Sequence, residues 1–178
     1  MSYARILPSL LVLAVAVLAG GCSRAQAVER RLPNCHHILI SSAEETGSLP
    51  AEVFSVSRTI DLTFTVGFQK SFGGSHVLEL RVFTPDGNLY RKMLVPITTD
   101  RSRETRLVQL PGHRRPVAER RLRGLPRGPT GMHAVDVAFP VAGTDIISAG
   151  LYGTWRVEAH LDGGRTACQV TKSFTLTR

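Results

Sequence analysis

Lysine, cysteine, tryptophan and long apolar runs are all scarce in this chain of 178 residues. Three lysines stand beside 19 arginines, so the net charge of +8 is almost wholly arginine. An arginine excess of this kind reflects genome composition as well as function, and charge alone therefore identifies no partner. A membrane-spanning helix needs about 20 consecutive apolar residues, and no run of that length is present.

Motifs of catalysis and metal binding are also lacking. The stretch "GGSH" at residues 73–76 sets a serine beside a histidine, but without the Gly-x-Ser-x-Gly elbow it is typical of a turn before a strand. Glu44 and Glu45 lie in a polar stretch without a second acid placed to share acid and base roles. The scattered histidines match no metal-ligand spacing: His113, His133 and His160. The sequence predicts no catalytic residue, no metal site and no cofactor.

The N-terminus carries the one long apolar stretch. Arg5 precedes ten apolar residues, Leu10 to Ala19, a length that suits a secretory signal better than a membrane span. Small residues then lead directly to a cysteine in "LAGGC", which ends at Cys22. Residues 1–21 are therefore predicted to be a signal peptide.

This leader resembles that of bacterial lipoproteins, although Ala19 stands where leucine is most often found. The resemblance implies that Cys22 receives a diacylglycerol, loses the leader and becomes the mature N-terminus, with acyl chains such as palmitate as the anchor. Ser23 implies sorting to the outer membrane, on its periplasmic face. Cleavage after Ala25 or Ala27 is the alternative, and it would release a soluble periplasmic protein.

The segment 22–33 has no apolar period and ends in a proline, which predicts a lipidated tether. Residues 23–33 span at most about 40 Å when extended. The domain that follows is thus expected to remain close to its membrane.

Two cysteines remain once Cys22 is assigned to the lipid. In an oxidising compartment Cys35 and Cys168, which are 133 residues apart, are expected to form a disulfide between the first and last strands. Two buried free thiols, or a metal site shared with His36 and His37, are the alternatives.

Period-two alternation recurs along the rest of the chain, whereas an apolar 3.6-residue period is missing. Residues 55–66 alternate strictly, and the turn at residues 85–88 divides the stretch from 76 to 97 into a hairpin whose Leu78, Leu80 and Val82 face inward. Further strands are predicted at residues 106–110 and 133–141. A last hairpin turns at residues 162–164, with Cys168, Phe174 and Leu176 facing inward.

These strands predict an all-β fold, a single antiparallel β-sandwich over residues 34–178. The stretch "GLYGTWRVEAHLDGG" resembles the final hairpin of immunoglobulin-like domains. Together with the lipobox, the "TPDGNLY" hairpin and the late cysteine, it is similar to uncharacterised lipoproteins of myxobacterial type. That resemblance implies an immunoglobulin-like fold and carries no activity.

Arginine is concentrated in a segment that Pro and Gly interrupt, and residues 98–131 are read as a long exposed connection, the basic loop. Arginine forms paired hydrogen bonds with phosphate and carboxylate groups. Contact of this loop with anionic lipid, a glycan or an acidic envelope protein is therefore one interpretation. A merely solvated loop is the other. Stacking aromatics are missing from it, which argues against nucleic acid. The candidate contacts are Arg114, Arg115, Arg120, Arg121, Arg123 and Arg127.

Export, a short tether and the lack of catalytic groupings together predict a non-enzymatic, membrane-anchored envelope lipoprotein. It would serve as a binding or assembly module. The alternative from another class is an envelope hydrolase or carbohydrate-active enzyme, whose residues would converge only in a folded pocket.

Overall fold

A computed structural model describes residues 34–43, 52–100, 104–124 and 132–178. The predicted signal peptide, the whole tether with Cys22, and Glu44, Glu45 and Arg127 lie outside the described residues. Among those described, no helix is long and apolar enough to cross a membrane.

Strands dominate the described residues. The strands are β1 (Cys35–Ser42), β2 (Val53–Ser55), β3 (Asp61–Phe68), β4 (Ser75–Phe83), β5 (Leu89–Thr98), β6 (Leu107–Val108), β7 (Val117–Ala118), β8 (Arg120–Arg121), β9 (Arg123–Gly124), β10 (His133–Pro140), β11 (Gly153–Leu161) and β12 (Thr166–Thr177). A four-residue helix, α1 (Asp145–Ser148), links β10 to β11, and a 3-10 turn at Asp162–Gly164 links β11 to β12. The prediction of an all-β chain is confirmed.

Two sheets make up the sandwich. One has the order β1-β3-β10-β9 and the other β2-β12-β11-β4-β5-β8, while β6 and β7 form a separate two-stranded ribbon. With β1, β3, β9 and β10 taken as strands A, B, D and E, the first sheet has the immunoglobulin order A-B-E-D. The strands β12-β11-β4-β5 likewise follow the order G-F-C-C′ of the opposing sheet.

The core consists of the inward-facing side chains of both sheets. Leu78, Leu80 and Val82 are fully buried on β4, as the alternation predicts. Trp155 on β11 is also fully buried, and its indole N–H donates to the carbonyl oxygen of Leu151 at 3.0 Å. That bond satisfies the single polar atom of the ring, so the tryptophan is a core residue.

The cysteine prediction is confirmed. Cys35 and Cys168 form a disulfide with a Cα separation of 4.9 Å, and both side chains are buried. The bridge joins β1 of one sheet to β12 of the other. Because both sulfur atoms are in the bridge, neither cysteine has a free thiol for the alternative metal site. The Nδ1 atoms of His36 and His37, the other residues of that alternative, lie 3.0 Å from each other.

The prediction of one strand over residues 55–66 is wrong at its N-terminal end. The chain leaves β2 in a turn at residues 56–58, closed by hydrogen bonds from Arg58 and Thr59 N–H to the Ser55 carbonyl oxygen, and enters the other sheet at Asp61. Ile60 is 59% exposed, although it has the same parity in the alternation as the buried Leu62 and Phe64. Alternation does not register a change of sheet, because both strands keep a period of two.

The basic loop is not simply a free connection. Its described part contains β6 to β9, and the predicted strand at residues 106–110 is reduced to Leu107–Val108. Strand β8 pairs with β5 of the larger sheet, and β9 pairs with β10 of the smaller one. The segment thus crosses the open side of the sandwich and contacts both sheets.

Candidate functional site

A groove of about 650 Å³ lies on the outer face of the larger sheet. Strands β4 and β5 form its floor, the turn at residues 111–113 forms its roof, and the turn between β11 and β12 forms one wall. This volume is within the range of small-molecule sites. The residues that line it are Val77, Glu79, Lys92, Leu94, Pro111, Gly112, His113, Asp162, Gly163 and Arg165.

The roof is held in place by its own backbone and by one buried side chain. Leu110, between β6 and the roof turn, is only 2% exposed. The His113 N–H donates to the Leu110 carbonyl oxygen at 3.2 Å, and the Gln109 amide donates to the His113 carbonyl oxygen at 2.5 Å. Gly112 has φ 78°, the left-handed conformation that glycine adopts without strain. The roof is therefore preformed.

Glu79 is a buried carboxylate in the floor, although it points outward from β4. Arg81 Nε lies 2.5 Å from its Oε1 and Lys92 Nζ lies 3.1 Å from its Oε2. Burial on its own raises the pKa of Glu79, but the hydrogen bonds and charges of Arg81 and Lys92 outweigh it and leave the pKa below its usual range. The carboxylate is therefore ionised and compensated.

Asp162 is the carboxylate of the wall. It accepts hydrogen bonds from the Thr166 hydroxyl at 2.5 Å and from the Val77 N–H at 2.9 Å, and His76 Nδ1 lies 2.7 Å from its Oδ2. Burial raises the pKa of Asp162, but these contacts with Thr166, His76 and Val77 together lower it below its usual range. Its φ of 51° is a left-handed value that aspartate tolerates better than most residues.

His76 connects the turn before β4 to this wall. Its Nε2 lies 3.0 Å from the Gly73 carbonyl oxygen, and its ring centroid lies 4.7 Å from that of Phe72. The stretch "GGSH" is indeed a turn before a strand. Ser75 Oγ donates to Thr98 and not to His76. No sequence pattern signals the contact of His76 with Asp162, because the two residues are 86 positions apart.

Two cationic or donor groups on the groove remain uncommitted. Arg165 donates through Nε to the Asp162 carbonyl oxygen at 3.0 Å, which fixes its position on the wall. Within the described chain neither of its Nη atoms, nor the ring of His113, forms a hydrogen bond or ion pair. The sequence had singled out His113 only as one of several scattered histidines, and Arg165 not at all.

The described arginines among those predicted to contact anionic surfaces have different surroundings. Arg114 and Arg115 are exposed beside the roof and have no partner among the described residues. Arg120 donates to the Asp136 carbonyl oxygen at 2.9 Å, and Arg123 donates to both carboxylate oxygens of Asp136 at 2.8 and 2.9 Å. Arg121 is exposed at the edge of a crevice of only about 10 Å³. The five of these arginines that the structure describes therefore have different environments, and two of them are held by Asp136.

His133 and His160 lie apart from the groove lining, and His160 contacts Glu158 at 3.3 Å. In the part of the chain that the structure describes, His, Cys, Asp and Glu side chains nowhere gather in a group of three or more suited to a metal ion.

Comparison with known proteins adds little to this geometry. No protein-family model and no curated protein matches the chain. An immunoglobulin-like protein from Pseudomonas aeruginosa, solved by crystallography, resembles it at 15% identity over 84% of this chain and 99% of that one, with a TM-score of 0.38. The immunoglobulin-like arrangement therefore rests on the strand order described above.

Proposed function

We propose that this protein is a non-enzymatic binding module of the bacterial envelope, anchored by lipid at Cys22 to the periplasmic face of the outer membrane. The groove carries the proposal. Its floor, roof and wall come from three segments distant in sequence, and each is fixed by hydrogen bonds that need no ligand. A preformed concave site of this kind binds without a large ordering cost.

The state of the carboxylates favours binding over hydrolysis. Glu79 and Asp162 are both held ionised by donors, and each has a pKa below its usual range. A general acid needs the opposite, a carboxyl whose pKa is raised toward neutrality. Ser75 is bonded to Thr98 and does not contact His76, so that pair provides no activated nucleophile.

The anchor is supported by the lipobox-like leader alone, and the tether restricts the partners. A domain within about 40 Å of the lipid meets molecules at the same membrane. If Cys22 is not lipidated, the same groove would serve a soluble periplasmic binding protein.

Contact with anionic lipid or glycan is a second candidate function, favoured by the unpaired Arg114 and Arg115. Replacing both with serine should reduce co-sedimentation of the full-length protein with vesicles that contain phosphatidylglycerol. Replacing Arg120 and Arg123 is a poorer test, because both hold Asp136. Binding that is unchanged in the double variant would overturn this candidate.

The test of the binding function is native mass spectrometry of the full-length protein released from envelopes in detergent. We expect a non-covalent small-molecule adduct, lost when Leu94→Trp fills the groove and retained in Val53→Trp, a control at a site 56% exposed on β2. Absence of an adduct, or its equal retention in both variants, would refute the groove as the site. A bound compound that is consumed over time would indicate an enzyme.

The anchor has its own test. Radiolabelled fatty acid should mark the wild-type protein and not Cys22→Ala, and the variant should be released from the membrane fraction. An unlabelled wild-type protein would refute the anchor and leave the groove untouched.

A further inference from the structure

The charges of the groove select a class of ligand, an inference that rests on the proposed binding function. Both carboxylates already have partners: Glu79 pairs with Arg81 and Lys92, and Asp162 accepts a hydrogen bond from Thr166 and contacts His76. The groups left without partners within the described residues are the terminal nitrogens of Arg165 and the ring of His113. The groove therefore offers a single uncommitted fixed positive charge.

Arg165 presents that charge in a defined orientation. Its Nε donates to the Asp162 carbonyl oxygen of the same turn, so the two Nη atoms are the ones left for a ligand. A guanidinium fork matches a planar carboxylate, with which it forms two parallel hydrogen bonds. His113 adds a ring N–H from the roof in either neutral tautomer.

The single free cation disfavours a more highly charged ligand. A phosphate dianion would bring two negative charges to one free guanidinium, and its second charge would remain unpaired beside Glu79 and Asp162. A single carboxylate pairs with the Arg165 guanidinium and leaves no unpaired charge. The lining thus discriminates by net charge as well as by shape.

The remaining lining is apolar and is suited to the body of such a ligand. Val77 and Leu94 lie on the floor and Pro111 lies on the roof. Burying apolar area against them contributes about 25 cal/mol per Å². We propose that the groove binds a small monocarboxylate, with its carboxylate on Arg165 and its apolar part against Leu94, Val77 and Pro111.

The test uses the full-length protein in detergent with 4-fluorobenzoate as the probe, followed by fluorine NMR line width. We expect binding that weakens at least about tenfold in Arg165→Gln, since a charge-assisted hydrogen-bonded pair is lost. Arg165→Lys, which keeps the charge and loses the fork, should fall between. Arg58→Gln removes the same charge from an exposed turn between β2 and β3, outside the groove lining, and should bind as the wild type does.

Two further compounds test whether the carboxylate is required and whether phosphate binds in its place. 4-Fluorobenzyl alcohol should bind much more weakly, and inorganic phosphate should not displace the probe at equal concentration. Displacement by phosphate would overturn the preference for a monocarboxylate. Equal binding of the alcohol with no effect of Arg165→Gln, or no binding of the probe, would overturn the inference. Either result leaves the proposed binding function to its own test, the adduct lost in Leu94→Trp.

Folding of each variant is checked by the emission of Trp155, the single tryptophan, which is fully buried in the core. A red shift marks an unfolded variant, and Arg165→Lys then replaces Arg165→Gln as the deciding comparison. Binding by Arg165→Lys as tight as that of the wild type would show that the fork does not recognise the carboxylate.

Discussion

Arg123 on β9 donates two hydrogen bonds to the carboxylate of Asp136 on β10, and Thr65 on β3 donates a third at 2.7 Å. The bond from Arg123 is the largest cause of the lowered pKa of Asp136, and the same bond raises the pKa of Arg123. Arg120 also reaches the Asp136 carbonyl oxygen. Part of the basic loop is thereby attached to the smaller sheet.

Removal of this contact should destabilise the domain modestly. The side chains of Arg123 and Asp136 are 48% and 42% exposed, so solvent screening limits the effect of Arg123→Gln to about 1 kcal/mol of unfolding free energy. The midpoint of urea denaturation measures it. Arg115→Gln removes the same charge from an unpaired site and should leave the midpoint unchanged; equal shifts in both variants would contradict the assignment.

The disulfide should contribute more. A bridge between residues 133 positions apart restricts the unfolded chain, and its loss typically costs about 2–5 kcal/mol. We expect the Cys35→Ala, Cys168→Ala double variant to unfold at a lower urea concentration than the wild type. The intact mass of the wild type should rise by about two hydrogens on reduction. An unchanged mass would mean that the bridge is absent.

Asp162 should make stability depend on acidity. Its pKa is lowered in the folded protein, so its contribution is complete above the unfolded value near 3.8 and is lost as the pH falls through the folded value. Unfolding free energy should therefore decline below about pH 4, and less steeply in Asp162→Asn. Asparagine tolerates the left-handed backbone here, which isolates the charge. Parallel pH curves would contradict the prediction.

Gly153 has a backbone conformation and a close neighbour that both disfavour a side chain. Its φ is 129°, and a Cβ atom there would lie 3.1 Å from Cγ of Pro85. Gly153→Ala should lower the unfolding free energy by about 1–3 kcal/mol, measured by urea denaturation. Gly124→Ala is the control, since Gly124 has no atom within 4 Å of its Cβ position. A Gly153→Ala variant as stable as this control would show that the turn relaxes freely.

The sequence predicted most of the sandwich because burial on one face of a strand leaves a direct record in the chain. The hairpin of β4 and β5 was predicted with its inward residues, and so was that of β11 and β12. One missed feature is the turn at residues 56–58, where the chain passes from one sheet to the other while the side chains keep a period of two. The contribution of the basic loop to both sheets was missed because two-residue strands leave no alternation to detect.

The site was much less predictable. Arg165 and Leu94 carry no motif, and the sequence placed His113 only among scattered histidines. Glu79 reads as an outward, solvated acid, yet it is 4% exposed. Glu79 is paired with Arg81, two residues along β4, and with Lys92 on β5, which only the pairing of the two strands brings beside it.

By itself, the sequence determined the all-β class and most of the inward faces, and it favoured the pairing of Cys35 with Cys168, because side-chain period and the number of cysteines are read directly from the chain. Tertiary structure alone decided which charges are compensated and which remain free. Arg123 is hydrogen-bonded to the carboxylate of Asp136, whereas the two Nη atoms of Arg165 have no partner among the described residues. The neighbouring sequence of the two arginines does not predict this difference. Coulomb interactions depend on distances in space, and the fold sets those distances.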